Sequence, residues 1–214
     1  MANDIIIVAV YLLAVAYVIY QAINSLEDRT TVRLDQAGLT AELERTGLAD
    51  VLKIDFGFKG SDRFTYDKQI SSLTITVTNG ADTSMQIDWE ESTLIDVGGQ
   101  SHRVVRVTPD RRMSLWVYQA PSTIGPGAAM KTQVTSEDSV TLSGDGAIAE
   151  IAPLVSDKTL LKSQTDILTM TLWLRVRVLS SSEISGSDRP YLLCCKIQVI
   201  KLPWTDYLPI SLGG

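Results

Sequence analysis

Two spacings of apolar residues divide this chain. From Ile5 to Ile23 no charged residue occurs, and only Gln21 is strongly polar. At ~1.5 Å of rise per helical residue, that run is about 28 Å long, close to the ~30 Å hydrocarbon core of a bilayer. The run predicts a single transmembrane helix over residues 1–24, with residues 5–23 in the bilayer. A buried core helix is seldom apolar on every face. A cleaved signal peptide would have a basic start, and Met-Ala-Asn-Asp has no Lys or Arg. Tyr17 and Tyr20 fall near the end of the run, where interfacial aromatics belong. Tyr11 falls near its middle, where a phenol hydroxyl wants a partner on its own helix or on another protein.

Residues 25–47 read as a linker. Leu39, Leu43 and Leu48 share one side of a short amphipathic helix that Gly47 ends. The polar face lacks the lysines of a lipid-binding helix, so a collar packed on the following domain is expected.

Past Gly47 the period becomes two. Leu52, Ile54, Phe56 and Phe58 alternate with Lys53, Asp55 and Gly57; Leu73, Ile75 and Val77 alternate with threonines up to an Asn79-Gly80 turn signal. Met85, Ile87 and Trp89 form a third set. Leu168, Met170, Leu172, Leu174, Val176 and Val178 form a fourth, and Leu193, Cys195, Ile197 and Val199 a fifth. One apolar face per run predicts half-buried antiparallel strands. Their number and the intervening turns predict a mainly β domain over residues 48–202, an immunoglobulin-like antiparallel β-sandwich. Residues 203–214 form an aromatic tail in which Pro203 and Pro209 break any regular ladder. Trp204 and Tyr207 are partner-binding candidates in that tail, beside Tyr11 in the helix, because Trp and Tyr favour contact surfaces.

Composition narrows the function classes. The chain has 214 residues, 45% of them hydrophobic, and a net charge of -6, which argues against a nucleic-acid binder. His102 is the single histidine. Neither a metal site nor a two-imidazole catalytic pair is expected, and no cofactor fingerprint occurs; Gly98-Gly99 and Gly125-Pro126-Gly127 read as turns. Cys194 and Cys195 are adjacent, so on a strand they point to opposite faces and do not bridge. Cys195 reads as a small buried hydrophobe and Cys194 as a thiol on the mixed face. Arg29, Arg33 and Arg45 follow the apolar run and none precedes it, which places the large domain in the cytoplasm.

The segment Asp88–Asp96 (DWEESTLID) carries acids beside Ser92 and Thr93, and Gly98–Val105 (GGQSHRVV) carries His102 and Arg103. Cross-strand pairing of Asp88, Glu90 and Glu91 with His102, Arg103 and Arg106 would fix a sheet edge. A carboxylate–histidine hydrolase is the alternative, but no nucleophile motif such as G-x-S-x-G is present. With the Ser122–Met130 loop (STIGPGAAM) and the closing CCKIQVIKLPW, these motifs resemble a group of bacterial, cyanobacterial-like β-sandwich proteins hung on a membrane anchor. The resemblance spans about residues 50–204 and brings no catalytic residues with it. It implies a thylakoid or plasma-membrane setting among photosynthetic complexes. The expected function is a non-enzymatic accessory subunit of a larger membrane protein complex. A free-standing tethered module that binds a protein or peptide is the alternative.

Overall fold

Long alternating runs bury one face and leave the other wet, and the computed structural model shows how that face is covered. It describes residues 2–26, 29–59, 62–66, 68–107, 118–144, 146–179 and 189–202, with side chains of the first helix given for residues 5–21. In chain order the elements are α1 (Ala2–Leu26), β1 (Arg29–Leu34), α2 (Gln36–Thr46), β2 (Leu52–Asp55), β3 (Phe64–Thr65), β4 (Leu73–Asn79), β5 (Met85–Ile95) and β6 (Ser101–Val107). There follow β7 (Ser122–Ile124), β8 (Ala129–Ser136), β9 (Val140–Leu142), β10 (Ile148–Ile151), α3 (Asp157–Lys162), β11 (Ile167–Val178) and β12 (Arg189–Lys201).

The transmembrane expectation is corrected here. Among the described residues no helix is long and apolar enough to cross a membrane. The described side chains of α1 run from Ile5 to Gln21. Tyr11, Tyr17, Tyr20 and Gln21 dilute that stretch, and the Gln21 amide donates to the Tyr17 hydroxyl at 2.8 Å. α1 is instead an apolar helix whose side chains stand exposed on every face, Leu13 at 71% and Tyr11 at 67%.

The immunoglobulin-like sandwich is corrected as well. Among the described residues ten strands form one continuous antiparallel sheet curled into a half-barrel, in the order β2-β4-β8-β6-β5-β11-β12-β1-β3, with β7 on β5. The reason is a change of partner within β6. Its first half, Ser101 to Arg103, pairs with β5, and its second half, Val104 to Val107, pairs with β8. One strand therefore carries the sheet around a corner that a sandwich would leave open. The Asn79-Gly80 signal marks a corner too, because β4 pairs with β8 and β2 rather than with β5. Asn79 is fully buried there. Its amide donates to the carbonyls of Thr83, Ile124 and Gly125 at 2.8, 3.0 and 3.1 Å, and its oxygen accepts from the Ala81 N–H at 2.9 Å.

Inside the curl lies the core. β11 contributes Met170, Leu172, Leu174 and Val176, β12 contributes Leu193, Cys195, Ile197 and Val199, and β4 contributes Leu73, Ile75 and Val77. Among the described residues the largest fully buried side chain is Trp89 of β5. Burying each of these contributes roughly 1.5–3 kcal/mol. The β9–β10 hairpin and α3 follow β8 in the chain, and Val155 and Leu160 join the core.

The region read as a linker holds a surprise. β1 lies within the sheet, between β12 and β3, and Thr30, Thr31 and Val32 are buried. α2 is the expected collar: Leu39 and Leu43 enter the core, and the Asp35 carboxylate caps its start by accepting the Gly38 N–H at 3.0 Å. Gly47 ends it in the left-handed region at φ +74, where a side chain would be strained. Because the core closes without α1, a chain lacking Met1 to Asn24 should fold as a β-protein. Circular dichroism and a single cooperative melt would check this; a molten chain would show that α1 is part of the fold.

Candidate functional site

Polar chemistry concentrates on β5, β6 and β11, where the sheet turns its corner. β5 changes its inward face partway along: Met85, Ile87 and Trp89 are buried, then Ser92 and Leu94. The odd-to-even switch is a bulge, matched by a register shift against β11 between Trp173 and Arg175. Ser92 stitches it. Its hydroxyl donates to the Asp88 carbonyl at 2.5 Å and accepts the Arg175 N–H at 3.1 Å.

The bulge turns Asp88 inward, leaving it 2% exposed. A buried carboxylate needs a cation and donors. Arg177 of β11 supplies the cation at 2.8 Å, and the Glu91 N–H donates to Asp88 at 3.2 Å. Glu91 in turn lies 2.7 Å from Arg175 and 3.4 Å from Arg177. Across the corner Arg103 of β6 donates to Glu90 at 2.7 Å, and Glu137 stands 3.8 Å from the same guanidinium. His102 sits between Asp138 and Asp96, at 2.5 and 3.3 Å. Arg106 donates to the Ser122 hydroxyl at 2.7 Å, and that hydroxyl also accepts the Trp89 indole N–H at 2.8 Å.

The electrostatics follow from these pairs. The Arg103 hydrogen bond holds the Glu90 carboxyl below its usual range, against the opposing effect of burial, and Glu90 raises Arg103 in return. Burial alone would raise Asp96, but the Gln100 N–H, His102 and the Gly98 N–H outweigh it and keep Asp96 low. Each of these acids is thus held as a paired anion. The arrangement can clamp strands together, and it leaves Ser92 bonded to two backbone groups with His102 engaged by two other acids. The sequence expectation of cross-strand pairing is met by Glu90 and Arg103. His102 and Arg106 find different partners, and the β11 arginines on Asp88 and Glu91 were missed. No local signal could have placed them, because β5 and β11 are distant in sequence.

The other candidates scatter. Cys195 is fully buried and Cys194 half-buried, both free thiols on opposite faces of β12. Burial pushes the Cys195 thiol up to about 12 and raises Cys194 as well, although Lys196 opposes it there. Cys194 lines a hollow of about 120 Å³ beneath α2 with Asp35, Leu39, Glu42 and Lys196. Tyr11 lies exposed on α1, remote in sequence from both clusters. Trp204 and Tyr207 lie outside the described residues. Among the described residues, no three His, Cys, Asp or Glu side chains come together as metal ligands.

No family model matches the chain, and no curated protein does. Among solved structures, the X-ray structure of Northeast Structural Genomics Consortium target SoR45 is similar at 12% identity, over 86% of this chain and 95% of that one. Its TM-score of 0.30 is too low to inform fold or function.

Two measurements check the site. Glu90 has a folded pKa below its ordinary value of 4.5, so the Arg103 pair stabilises the fold above that value and is lost as pH falls through the lower, folded one. Glu90→Gln should cost about 1 kcal/mol at pH 7, and the cost should shrink as the solution is acidified below the carboxylate range. A cost unchanged by acid in urea titrations would refute the pairing. Thiol reagents at pH 8 should modify Cys194 slowly and Cys195 only after denaturation, since the thiolate is the reactive form. Native labelling of both at similar rates would show that β12 opens.

Proposed function

We propose that this chain is a non-enzymatic accessory subunit of a larger membrane protein complex, joined to it by α1. The observation behind the proposal is the exposure of that helix. Ile5, Ile7, Leu12, Leu13 and Val18 all stand more than half exposed, on every side of the cylinder. A helix apolar all round is covered in the working protein, since a soluble surface helix keeps a polar face. The cover proposed here is a set of partner helices, against which Tyr11 meets an acceptor for its hydroxyl. The resemblance noted for the Asp88–Met130 region adds the setting, an assembly of the photosynthetic kind. The two reduced thiols on β12 fit a domain on the cytoplasmic side, and Trp204 and Tyr207 would help seat it on the partner.

A charged residue within α1 tests the reading. Leu12→Asp would bury an unpaired carboxylate in the partner contact, which should weaken association by about two orders of magnitude. On a native gel after mild detergent extraction, the unaltered chain should migrate with a large complex and Leu12→Asp should not. The melting temperature of the β-domain should be the same in both. A lone small species for the unaltered chain would sink the subunit reading in favour of a free-standing module.

A further inference from the structure

His102 is the chain's single histidine, and histidine is the side chain that ordinarily changes charge between about pH 5 and 8. On β6 it has a carboxylate at each ring nitrogen. Asp138 meets Nδ1 at 2.5 Å, and Asp96 meets Nε2 at 3.3 Å. Among the described residues these are the charged groups that face the ring. Its cross-strand partner on β5 is the uncharged Leu94, and Arg103, next along β6, is turned to Glu90 and Glu137. An imidazolium donates from both nitrogens, whereas the neutral ring has one N–H and one lone pair. The full contact therefore requires the charged ring. Loss of the proton sets a lone pair against one of the two carboxylates.

The two acids are held unequally. Asp96 is fastened in the turn between β5 and β6, where its Oδ1 accepts the Gly98 and Gln100 N–H groups at 2.8 Å each and its own N–H donates to the Gln100 carbonyl at 2.9 Å. Asp138 belongs to the 3₁₀ turn Glu137–Ser139, and its side chain is 71% exposed. So short a 3₁₀ segment holds itself weakly, and the Ser136 side chain does not cap it. The turn leads into β9 and β10, which form a two-stranded sheet apart from the ten-stranded one. The Ala152 N–H donates to the Ser139 carbonyl at 2.7 Å, so the far end of the hairpin is tied back to the same turn. A lone hairpin is marginal in water. Val140 and Ile148 of this one are buried, yet stand outside the main core cluster. Arg103 and Glu137, at 3.8 Å, make a longer tie to β6 than His102 and Asp138 do.

We propose that His102 is a proton-operated latch: charged, it pins the Glu137–Ser139 turn to the β5–β6 turn, and neutral, it lets that turn and the β9–β10 hairpin lift. The contact is complete at acid pH and weakens as pH rises. That is the opposite sense to the Glu90–Arg103 pair, which is lost as pH falls, so the two are separable by titration. A lifted hairpin bares Val140 and Ile148, so the latch governs when an apolar patch meets solvent.

Hydrogen exchange read by mass spectrometry tests this on the full chain. After correction for the intrinsic pH dependence of exchange, the amides of β9 and β10 should open ~10-fold more often at pH 8 than at pH 5.5, the effect of losing one charge-assisted bond. The proton resonances of the single imidazole should titrate with the same midpoint. His102→Gln should show the faster exchange at both pH values. So should Asp138→Asn, a change at an exposed side chain. The amides of Leu172 and Leu174 in mid-sheet should stay protected throughout, which separates a lifted hairpin from unfolding. Equal corrected exchange of β9 and β10 at the two pH values would overturn the proposal. So would a pH dependence that survives in either variant, or a matching loss of protection at Leu172 and Leu174.

Discussion

The fold hangs on one strand that belongs to two neighbourhoods. β6 leaves β5 after Arg103 and joins β8 from Val104, and every strand on the β8 side is tied to the β11 side through it. Such a corner strains the ladder, so side chains bridge it. Arg103 holds Glu90 from the near half, and Arg106 reaches Ser122 from the far half. Gln119 ties both, accepting the Arg106 N–H at 2.9 Å and donating to the Val104 carbonyl at 2.7 Å, while its own N–H reaches Glu90 at 3.2 Å. Behind the corner Trp89 fills the space that the bend opens, its indole N–H satisfied by the same Ser122. The polar cluster and the largest core side chain thus serve one bend.

That division of labour explains why the charged cluster is acidic and basic in near balance. A binding site for an anion or a cation would leave one sign in excess. Here Asp88, Glu90 and Glu91 meet Arg103, Arg175 and Arg177 at hydrogen-bonding range. The innermost pair is the exception in energy. Among the described ion pairs, Asp88 with Arg177 has the most deeply buried carboxylate, 2% exposed, so desolvation weighs most there. The others sit at the surface and act mainly by fixing direction.

How much of this could be read from the chain depends on whether the deciding contacts are local. β4, β11 and β12 were legible because each buries one face, so Leu172 or Ile197 announces its orientation by its neighbours. α2 was legible from Leu39, Leu43 and Gly47 for the same reason at helical period. β1 was hidden: Arg-Thr-Thr-Val-Arg-Leu has few apolar residues, and Thr30 is buried because its hydroxyl finds Gln69 at 3.0 Å, a partner far along the chain. The choice between sandwich and half-barrel was illegible because β6 changes partner between Arg103 and Val104 with no mark in the sequence. The apolar run at the start was legible as a helix from its lack of charge between Ile5 and Ile23, but the membrane crossing expected of it was not met: among the described residues no helix is long and apolar enough to cross.

The junction of α1 and β1 bears on mechanics. Only residues 27 and 28 separate the helix from a strand bonded along its whole length to β12. A load applied through the helix would fall first on the Arg29–Leu202 bond and then on the next rung, Thr31–Ile200, so the ladder would open like a zipper, one pair at a time. Strands loaded in that way yield at lower force than strands sheared together. Because Val32 belongs to the core, release of β1 under tension would also open the core on that side.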